Sequence, residues 1–364
     1  MKTIILAWWS GTRLWPLSTE EHPKQFIRLF SDHSLLQETR SRMASLPGSG
    51  AQEIYISTQS TYIPLIQEHI TPLLWSTFWW VSAGWDPAGT GWILAHDHII
   101  CEPSRRNTFP AFLYIARYLE HTQACQHNDV LVFCPSDHMI TPAKRFHDYL
   151  LQAETYARDG QIVLFGIIPD RPETGYGYIQ VAEHSNLAAF VQPITSFVEK
   201  PDFETAKTYV SRWNYFWNAG IFMISYQTLI DEIRRHVPEA WPLLDAPFEE
   251  FVTRFTELPA LPIDIAIMEK TDRACVVPML IQRSDIWSRD AVYDVLPKND
   301  NGNVVIGNNI ALHTTKNSLI YSTSWSPTLI SGLDDMLSIH SDDGVFQSKR
   351  WSSQYIKTLL SSLT

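Results

Sequence analysis

Short, continuous apolar runs separated by amphipathic stretches are the feature that most constrains the fold of this chain. Between these runs lie helical patterns at residues 34–46, where Ser34 is a candidate cap, and at 110–122. Continuous apolar strands that alternate with amphipathic helices predict a parallel sheet covered on both faces. In such sheets ligands bind beyond the carboxyl ends of the strands. The apolar runs are residues 3–9, 53–58, 129–137 and 161–169.

The last part of the chain has a different pattern. From about Asp300 it contains short alternating strands with Asn and Gly at the corners, and no helical pattern returns before Trp351. We therefore predict an α/β domain over residues 1–299, with a mostly parallel central sheet, and a small β domain over residues 300–364 that closes with a helix at 351–362. The aromatic, turn-rich segment 77–98 has no predicted place in either part.

Composition excludes several classes of partner. The chain has 364 residues and a formal net charge of −11, which argues against nucleic acid or an anionic membrane as the partner. No apolar run approaches the roughly 20 residues that a membrane span needs. The four cysteines show no metal-ligand spacing, so we expect reduced thiols and a soluble cytoplasmic protein. They are Cys101, Cys125, Cys134 and Cys275.

The loop after the first strand has the chemistry of a phosphate site. Ser10, Gly11 and Thr12 offer backbone N–H groups at a turn, and Arg13 follows at once. A triphosphate needs convergent N–H donors and a cation that contacts several oxygens. Lys24 follows on the same proline-punctuated loop, so two cations can surround a pyrophosphate leaving group. This is not a Walker A loop, and a plain strand-to-helix turn with an exposed arginine is about equally consistent with the loop alone.

Further along, polar residues stand where apolar runs end. In CPSDHMI, Asp137 ends a buried run, and Mg²⁺ that bridges phosphates is a common partner of such a carboxylate. His138 is read as a structural, hydrogen-bonded histidine. Gly177 allows a close backbone approach, while Glu199 and Asn218 can accept from and donate to hydroxyl groups.

Taken in order, these stretches resemble the bacterial mannose-1-phosphate guanylyltransferases. The resemblance implies a Rossmann-like catalytic domain, a small left-handed β-helix-like domain, and a Mg²⁺-dependent attack of mannose 1-phosphate on GTP that releases pyrophosphate. It also implies a short form, since longer relatives carry an isomerase domain beyond this point. A homodimer is compatible with the sequence, which does not define the oligomeric state. The matching stretches are SGTRLWPLS, PKQF, EPSRRNTFPA, PSDHMI, PETGYGYI, FVEKPD, WNAGIF, IDIAIMEKT, DNGNVVIGN and GLDDM.

The resemblance assigns a role to individual residues. Arg13, Lys24 and Asp137 are implied to be catalytic, with Asp137 also the Mg²⁺ ligand. Mannose hydroxyls are implied to contact Gly177, Glu199 and Asn218. The residues implied to line the nucleotide are Ala7, Ser10, Gly11, Thr12, Asn107, Thr108 and Ser136.

Two positions depart from the family pattern. The family loop reads AGGSGTR, whereas Trp8 and Trp9 replace both central glycines here, and an indole cannot cheaply adopt the backbone angles that glycine allows. The family's second metal-binding aspartate falls on Arg289. Asp290 lies one position along, and on a strand such a shift points the side chain to the other face. Arg289 can instead pair with phosphate directly.

Three hypotheses remain at this point. The protein is an active guanylyltransferase whose Trp8 stacks on guanine, with a stacking energy of roughly 1–3 kcal/mol. Alternatively, it is a catalytically impaired homologue that acts as a binding or regulatory subunit, or a sister enzyme for another nucleotide or sugar phosphate. Retention of both cations, together with Asp137, Glu199 and Asn218, favours the active enzyme.

Overall fold

The computed structural model describes residues 1–8, 14–70, 98–183, 189–285, 289–350, 352 and 356–362. The chain divides into two compact units, and neither is continuous in sequence. The expected boundary between residues 299 and 300 does not coincide with the limits of these units, because the second unit also takes in segments from the first half of the chain. The first unit is Met1–Ala7, Arg40–Pro135 and Ile140–Gln282, and the second is Trp8–Thr39, Ser136–Met139 and Arg283–Thr364.

A nine-stranded sheet forms the centre of the first unit, in the order β3-β2-β1-β4-β9-β6-β10-β8-β7. The predicted strands at 3–9, 53–58, 129–137 and 161–169 are confirmed as β1, β2, β4 and β6. The strands of the sheet are β1 (Lys2–Leu6), β2 (Ile54–Thr58), β3 (Ile99–Cys101), β4 (Val130–Pro135), β6 (Ile162–Ile167), β7 (Tyr178–Val181), β8 (Gln192–Val198), β9 (Tyr215–Ser225) and β10 (Ala274–Met279).

The sheet is mixed rather than mostly parallel. Strands β3, β2, β1 and β4 pair in parallel, as do β6 and β10, whereas β9 and β8 run against their neighbours. Parallel strands require a long crossover connection, usually a helix. The predicted alternation of strands and helices stops after β6, and β7 and β8 follow one another without an intervening helix among the described residues. Antiparallel pairing results there.

Helices pack on this sheet through their apolar faces. The strongest predicted one begins at Thr108, where the Asn107 side chain accepts from the backbone N–H of Thr108 and caps the helix. Asp202 and Ser225 cap two later helices in the same way. The helices are α1 (Leu35–Ala44), α2 (Ile63–Ile70), α3 (Thr108–His121), α4 (Ala143–Arg158), α5 (Phe203–Val210), α6 (Tyr226–His236), α7 (Trp241–Leu244) and α8 (Phe248–Thr253).

The second unit joins the two ends of the chain in one apolar core. Side chains from the segment after Trp8 pack with side chains from residues 292–356. The buried members are Leu14, Leu17, Ile27, Leu29, Leu35, Val292, Tyr293, Leu296, Val304, Leu319, Tyr321, Leu337, Ile339, Phe346 and Ile356.

The C-terminal part of the second unit consists of short strands, as predicted. Strands β12, β14 and β16 pair in parallel, as do β13 and β15, while β16 and β17 form an antiparallel pair. The predicted last helix is present but begins later, at Ile356. The elements here are α9 (Arg289–Val295), β12 (Val304–Ile306), β13 (Ile310–His313), β14 (Leu319–Ser322), β15 (Thr328–Ser331), β16 (Met336–Ser341), β17 (Gly344–Lys349) and α10 (Ile356–Ser361), while β5 (His138–Thr141) and β11 (Gln282–Asp285) form a separate two-stranded sheet.

Three observations bear on the remaining expectations about the chain. Within its described residues, no helix is both long and apolar enough to cross a membrane. All four cysteines are free thiols. Residues 77–97, nearly all of the unplaced aromatic segment, lie outside the described part of the chain.

Candidate active site

The carboxyl ends of three parallel strands meet at the start of the predicted phosphate loop. Ala7, directly after β1, donates its backbone N–H to Ser57 O at 2.8 Å and accepts at its carbonyl from Thr58 Oγ1 at 2.9 Å. Both partners lie at the end of β2. The end of the first strand is therefore fixed at the sheet edge where parallel sheets bind ligands.

Most of the predicted phosphate loop lies outside the described residues. This applies to Ser10, Gly11, Thr12 and Arg13, as well as to Trp9, so their contacts stay predictions. Trp8 is described, and its side chain is only 6% exposed. An indole that is buried in this way offers little free ring surface to a nucleotide base. The structure therefore gives no support to the hypothesis that Trp8 stacks on guanine.

Lys24 and Asp137 form a buried ion pair in the second unit. Lys24 Nζ lies 2.9 Å from Asp137 Oδ2, and both side chains are almost fully removed from solvent. Lys24 opens a short 3₁₀ turn at Lys24–Phe26, and Asp137 stands two residues beyond the end of β4. The structure thus brings together two of the three predicted catalytic residues. Breaking one partner of such a pair costs about 3–5 kcal/mol, because an uncompensated charge is left in the interior.

Asp137 is the described residue best suited to a metal ion. No group of three or more His, Cys, Asp and Glu side chains that could hold a metal occurs in the described ranges, so a closed protein cage is not formed there. Mg²⁺ is commonly held by one or two carboxylates together with substrate phosphates. A single carboxylate beside a fixed cation fits a metal that arrives with a triphosphate. Ser136, the preceding residue, is fully buried, and its carbonyl accepts from Thr39 Oγ1 at 3.2 Å.

Asn107 and Thr108 anchor the start of α3. Asn107 has a φ of 78°, in the left-handed region, and its Oδ1 accepts from Thr108 N at 2.9 Å. The Thr108 hydroxyl accepts from Ile263 N at 2.7 Å. Next to them, Arg106 donates two hydrogen bonds to Leu258 O. These contacts hold the α3 start against the segment before residue 264, and the nucleotide-binding role of Asn107 and Thr108 stays a prediction.

The three predicted sugar-binding residues lie together in the first unit, with a fourth residue. Asn218 donates from its backbone N–H to Gly177 O at 2.8 Å and from Nδ2 to Asp264 Oδ1 at 3.2 Å. Asn218 Oδ1 accepts from Gly220 N at 3.0 Å. We call Gly177, Glu199, Asn218 and Asp264 the Asn218 cluster. Both ends of the Asn218 amide are thereby oriented, while each end keeps hydrogen-bonding capacity for a ligand hydroxyl.

Sequence reasoning missed Asp264. It lies within the quoted stretch IDIAIMEKT, where a single carboxylate inside an apolar run was the available signal. In the structure it begins a π-helical turn at Asp264–Met268. Burial raises the pKa of the Asp264 carboxyl well above its usual range, and the nearby Glu199 charge adds to this shift. Asp264 is a positioning residue for Asn218 rather than a surface carboxylate.

Glu199 is the exposed side of the Asn218 cluster. Its Oε1 pairs with Lys200 Nζ at 2.5 Å, and its backbone N–H donates to Glu269 Oε1 at 3.3 Å. Its other oxygen, Oε2, lies 2.7 Å from the point where a Cβ at Gly177 would stand. The close approach of this carboxylate therefore depends on glycine at position 177.

Replacing Gly177 with alanine is expected to weaken sugar phosphate use without a comparable loss of nucleotide binding. The new methyl group meets Glu199 Oε2 at 2.7 Å and Phe197 Cζ at 2.8 Å, so the carboxylate must move. We expect KM for the sugar phosphate to rise about tenfold, while Kd for the nucleotide changes less than twofold. A matched control is Gly48→Ala, since no atom lies within 4 Å of a Cβ there. Equal effects on both substrates would contradict this placement.

Arg289 does not occupy the position of a metal ligand or a phosphate partner. It begins helix α9 rather than lying on a strand, its side chain is 0% exposed, and its guanidinium lies 4.0 Å from the centre of the Phe346 ring. Its Nη2 donates to the carbonyl of Trp15. Burial lowers the pKa of Arg289 to about 10, and the Asp290 charge opposes this shift, so the group stays charged at neutral pH. The interpretation of Arg289 as a phosphate partner is wrong, because its charge is spent inside the second unit.

Comparison with known proteins adds to this geometry. The model of the nucleotidyl transferase family matches residues 2–251. The mannose-1-phosphate guanylyltransferase 2 of Escherichia coli O157:H7 is 32% identical over 99% of this chain and 73% of its own length. The chain belongs to the mannose-1-phosphate guanylyltransferase family. The alginate biosynthesis protein AlgA of Pseudomonas aeruginosa is also 32% identical, over 100% of this chain and 72% of its own length.

Solved structures show that the fold of this guanylyltransferase family extends over the whole chain. A crystal structure named mannose-1-phosphate geranyltransferase, from Thermus thermophilus, matches with a TM-score of 0.80 and 24% identity, and covers 100% of this chain and 98% of its own. The nucleotidyl transferase match ends at residue 251, whereas the curated guanylyltransferases also align with the residues beyond it. The predicted resemblance is therefore confirmed as a family relationship, and the Rossmann-like α/β fold with it.

Proposed function

We propose that this protein transfers GMP from GTP to mannose 1-phosphate, giving GDP-mannose and pyrophosphate. The observation that carries the proposal is the buried Lys24–Asp137 pair beyond the end of β4, in a chain of the guanylyltransferase family. A cation and a carboxylate held rigidly together are what the transfer of a nucleotidyl group asks of a protein. The reaction needs positioning and charge stabilisation, and no protein nucleophile.

The proposed step is an in-line displacement. A phosphate oxygen of mannose 1-phosphate forms a bond to the α-phosphorus of GTP, and the bond from that phosphorus to the oxygen that bridges to the β-phosphorus breaks. The electron pair of the broken bond stays on pyrophosphate, which departs with the developing negative charge. No covalent intermediate with the protein forms.

Lys24 and Asp137 have complementary roles in this proposal. Lys24 is placed to neutralise negative charge on the phosphates, together with Arg13 from the loop outside the described residues. Asp137 is placed to hold Mg²⁺ that enters with GTP. When bound, this metal ion neutralises phosphate charge and orients the leaving group. Because Lys24 and Asp137 are in contact, the fixed cation and the metal ligand keep a constant separation in the protein.

The remaining residues of the proposed site divide between the two substrates. The Asn218 cluster suits a sugar, since a carboxylate and an oriented amide accept from and donate to adjacent hydroxyl groups. Gly177, Glu199 and Asn218 are proposed to contact mannose, with Asp264 orienting the amide. The nucleotide is proposed to lie along Ala7, Ser10, Gly11, Thr12, Asn107, Thr108 and Ser136.

An impaired, non-catalytic homologue is not favoured. That hypothesis rested on Trp8, Trp9 and Arg289. Trp8 and Arg289 are buried, and Arg289 has structural partners of its own, while Lys24 and Asp137 keep the arrangement that the reaction needs. Four finer expectations stay proposals: a left-handed coil of the C-terminal strands, a domain boundary at residue 300, a homodimer and a cytoplasmic location.

A screen of nucleoside triphosphates tests the proposed function. With mannose 1-phosphate and Mg²⁺ present, we expect pyrophosphate release with GTP to exceed that with ATP, CTP or UTP by about a hundredfold in kcat/KM. Product identity is checked by chromatography against GDP-mannose, and omission of the sugar phosphate is the blank. Equal release with glucose 1-phosphate, or a preference for another nucleotide, would point to the sister-enzyme alternative. No release with any pair would refute the proposal.

A further inference from the structure

One buried carboxyl group of the first unit has no part in the reaction described so far. Glu102 follows β3 directly and is 7% exposed. Its backbone N–H donates to Thr58 O at 3.0 Å, and its Oε1 accepts from Ser57 Oγ at 2.9 Å. Because the same two residues of β2 also hold Ala7, the carboxyl group of Glu102 lies at the edge where β1, β2 and β3 end.

The charge of this carboxyl group is not balanced within the described part of the protein. Glu102 makes no ion pair with any described Lys, Arg or His, and the Ser57 hydroxyl is the described partner of its carboxyl oxygens. Burying a carboxylate is expensive unless a cation or several hydrogen-bond donors compensate it. A second set of donors is therefore missing at Glu102, at an edge where parallel sheets bind ligands.

We propose that Glu102 is a specificity-determining residue that selects guanine, with its carboxylate accepting hydrogen bonds from N1–H and from the 2-amino group of the base. This inference rests on the proposed function, since it names how the nucleotide of that reaction is chosen. The N1–H and 2-amino donors of guanine are adjacent and point the same way, so they match the two oxygens of one carboxylate. The remaining acceptor capacity of Oε1 accommodates the Ser57 hydroxyl as well.

Other bases do not match an ionised carboxylate in this way. Adenine presents an acceptor at N1, which repels a carboxylate, and hypoxanthine keeps the N1–H but lacks the 2-amino donor. A buried charged acceptor that is left with an unfilled position loses much of its hydrogen-bond stabilisation. The expected order of affinity is therefore GTP above ITP, and ITP above ATP.

Proton release provides a second signature. Burial raises the pKa of Glu102 to about 8 in the free protein, opposed by the Ser57 hydrogen bond. The titratable groups that sense this carboxyl are Cys101 and Tyr114, and both have raised pKa values and are neutral at pH 7. At pH 7 the free carboxyl is mostly protonated, whereas guanine selects the ionised form. Binding of GTP should release a proton below about pH 8, and this release should vanish as the pH rises above 8.

The experiment compares Glu102→Gln with the wild-type protein in calorimetric titrations with GTP, ITP and ATP in the presence of Mg²⁺. The glutamine keeps an acceptor for Ser57 but places an NH₂ group against the base donors. We expect the ratio of GTP to ITP affinity to fall at least tenfold, about 1.4 kcal/mol, and the buffer-dependent heat of proton release to disappear. Should Glu102→Gln fail to fold, Ser57→Ala replaces it, with an expected fall in the ratio of about threefold.

Glu232→Gln is the matched control. Glu232 is also buried, on α6, where it pairs with His236 at 3.2 Å, and its loss should leave the GTP to ITP ratio unchanged. An unchanged ratio in Glu102→Gln would overturn the inference even if GDP-mannose is formed. A selective loss that appears with 2′-deoxy-GTP instead would assign Glu102 to the ribose and also overturn it. A collapsed ratio in a protein that forms no GDP-mannose would retain the inference and refute the proposed function.

Discussion

Replacing Lys24 with methionine is expected to lower kcat/KM for pyrophosphate release by about a thousandfold or more. The methylene chain keeps most of the packing of lysine, but the fixed positive charge beside Asp137 is lost. Removal of one preorganised electrostatic group from a transfer site commonly costs a factor of about 10²–10³, and the pair also loses control of the Asp137 carboxylate. The measurement is the initial rate of pyrophosphate release with GTP and mannose 1-phosphate.

A double variant separates catalysis from stability in this experiment. Lys24→Met alone leaves the buried Asp137 carboxylate without its cation, so we expect the free energy of unfolding to fall by about 3–5 kcal/mol. Adding Asp137→Asn removes that charge and should recover most of the stability, because a neutral pair replaces an unbalanced one. Activity should not recover. If the double variant regained activity along with stability, the pair would be structural and the proposed catalytic roles would be wrong.

Changing Arg289 to aspartate, the residue of the family pattern, is expected to destabilise the protein strongly rather than to restore a metal ligand. The side chain at this position is fully buried against Phe346 and the Trp15 carbonyl. A carboxylate there has a carbonyl oxygen and the Asp290 carboxylate for neighbours. We expect a loss of about 4 kcal/mol or more in the free energy of unfolding, from an uncompensated buried charge. Urea denaturation measures it.

The control for this variant is Arg289→Met, which retains apolar packing on the Phe346 ring and removes the charge. Its expected cost is smaller, about 1–3 kcal/mol, because the Trp15 carbonyl loses its donor but no charge is stranded. If Arg289→Asp proved as stable as wild type and bound Mg²⁺ more tightly, position 289 would face the metal and its burial in the second unit would be contradicted.

The parts of the fold that follow from local patterns were predictable. The apolar runs gave β1, β2, β4 and β6 correctly, because a strand covered on both faces must be apolar throughout. The change of pattern near Asp300 correctly indicated short strands. The direction of β8 and β9 was not predictable in this way, since nothing in a buried run distinguishes a parallel from an antiparallel neighbour.

The candidate site divides along the same line. Residues with unusual chemistry for their surroundings, such as Asp137 at the end of β4, were identified from the sequence, and so was its approach to Lys24. Asp264 and Glu102 were not, because each becomes unusual only through burial and through the partners that the fold brings to it. Arg289 was misread because the family pattern suggested a strand position, whereas the chain begins α9 there.

The shared core of the second unit has a consequence for how the protein is made. The segment Leu14–Leu35 leaves the ribosome first, yet the residues that cover its apolar side chains lie between Val292 and Ile356. During synthesis this segment, which carries Lys24, therefore waits with its apolar groups uncovered until nearly all of the chain has emerged. Nascent chains arrested before the last strands should expose it to chaperones and proteases, even after the nine-stranded sheet has formed.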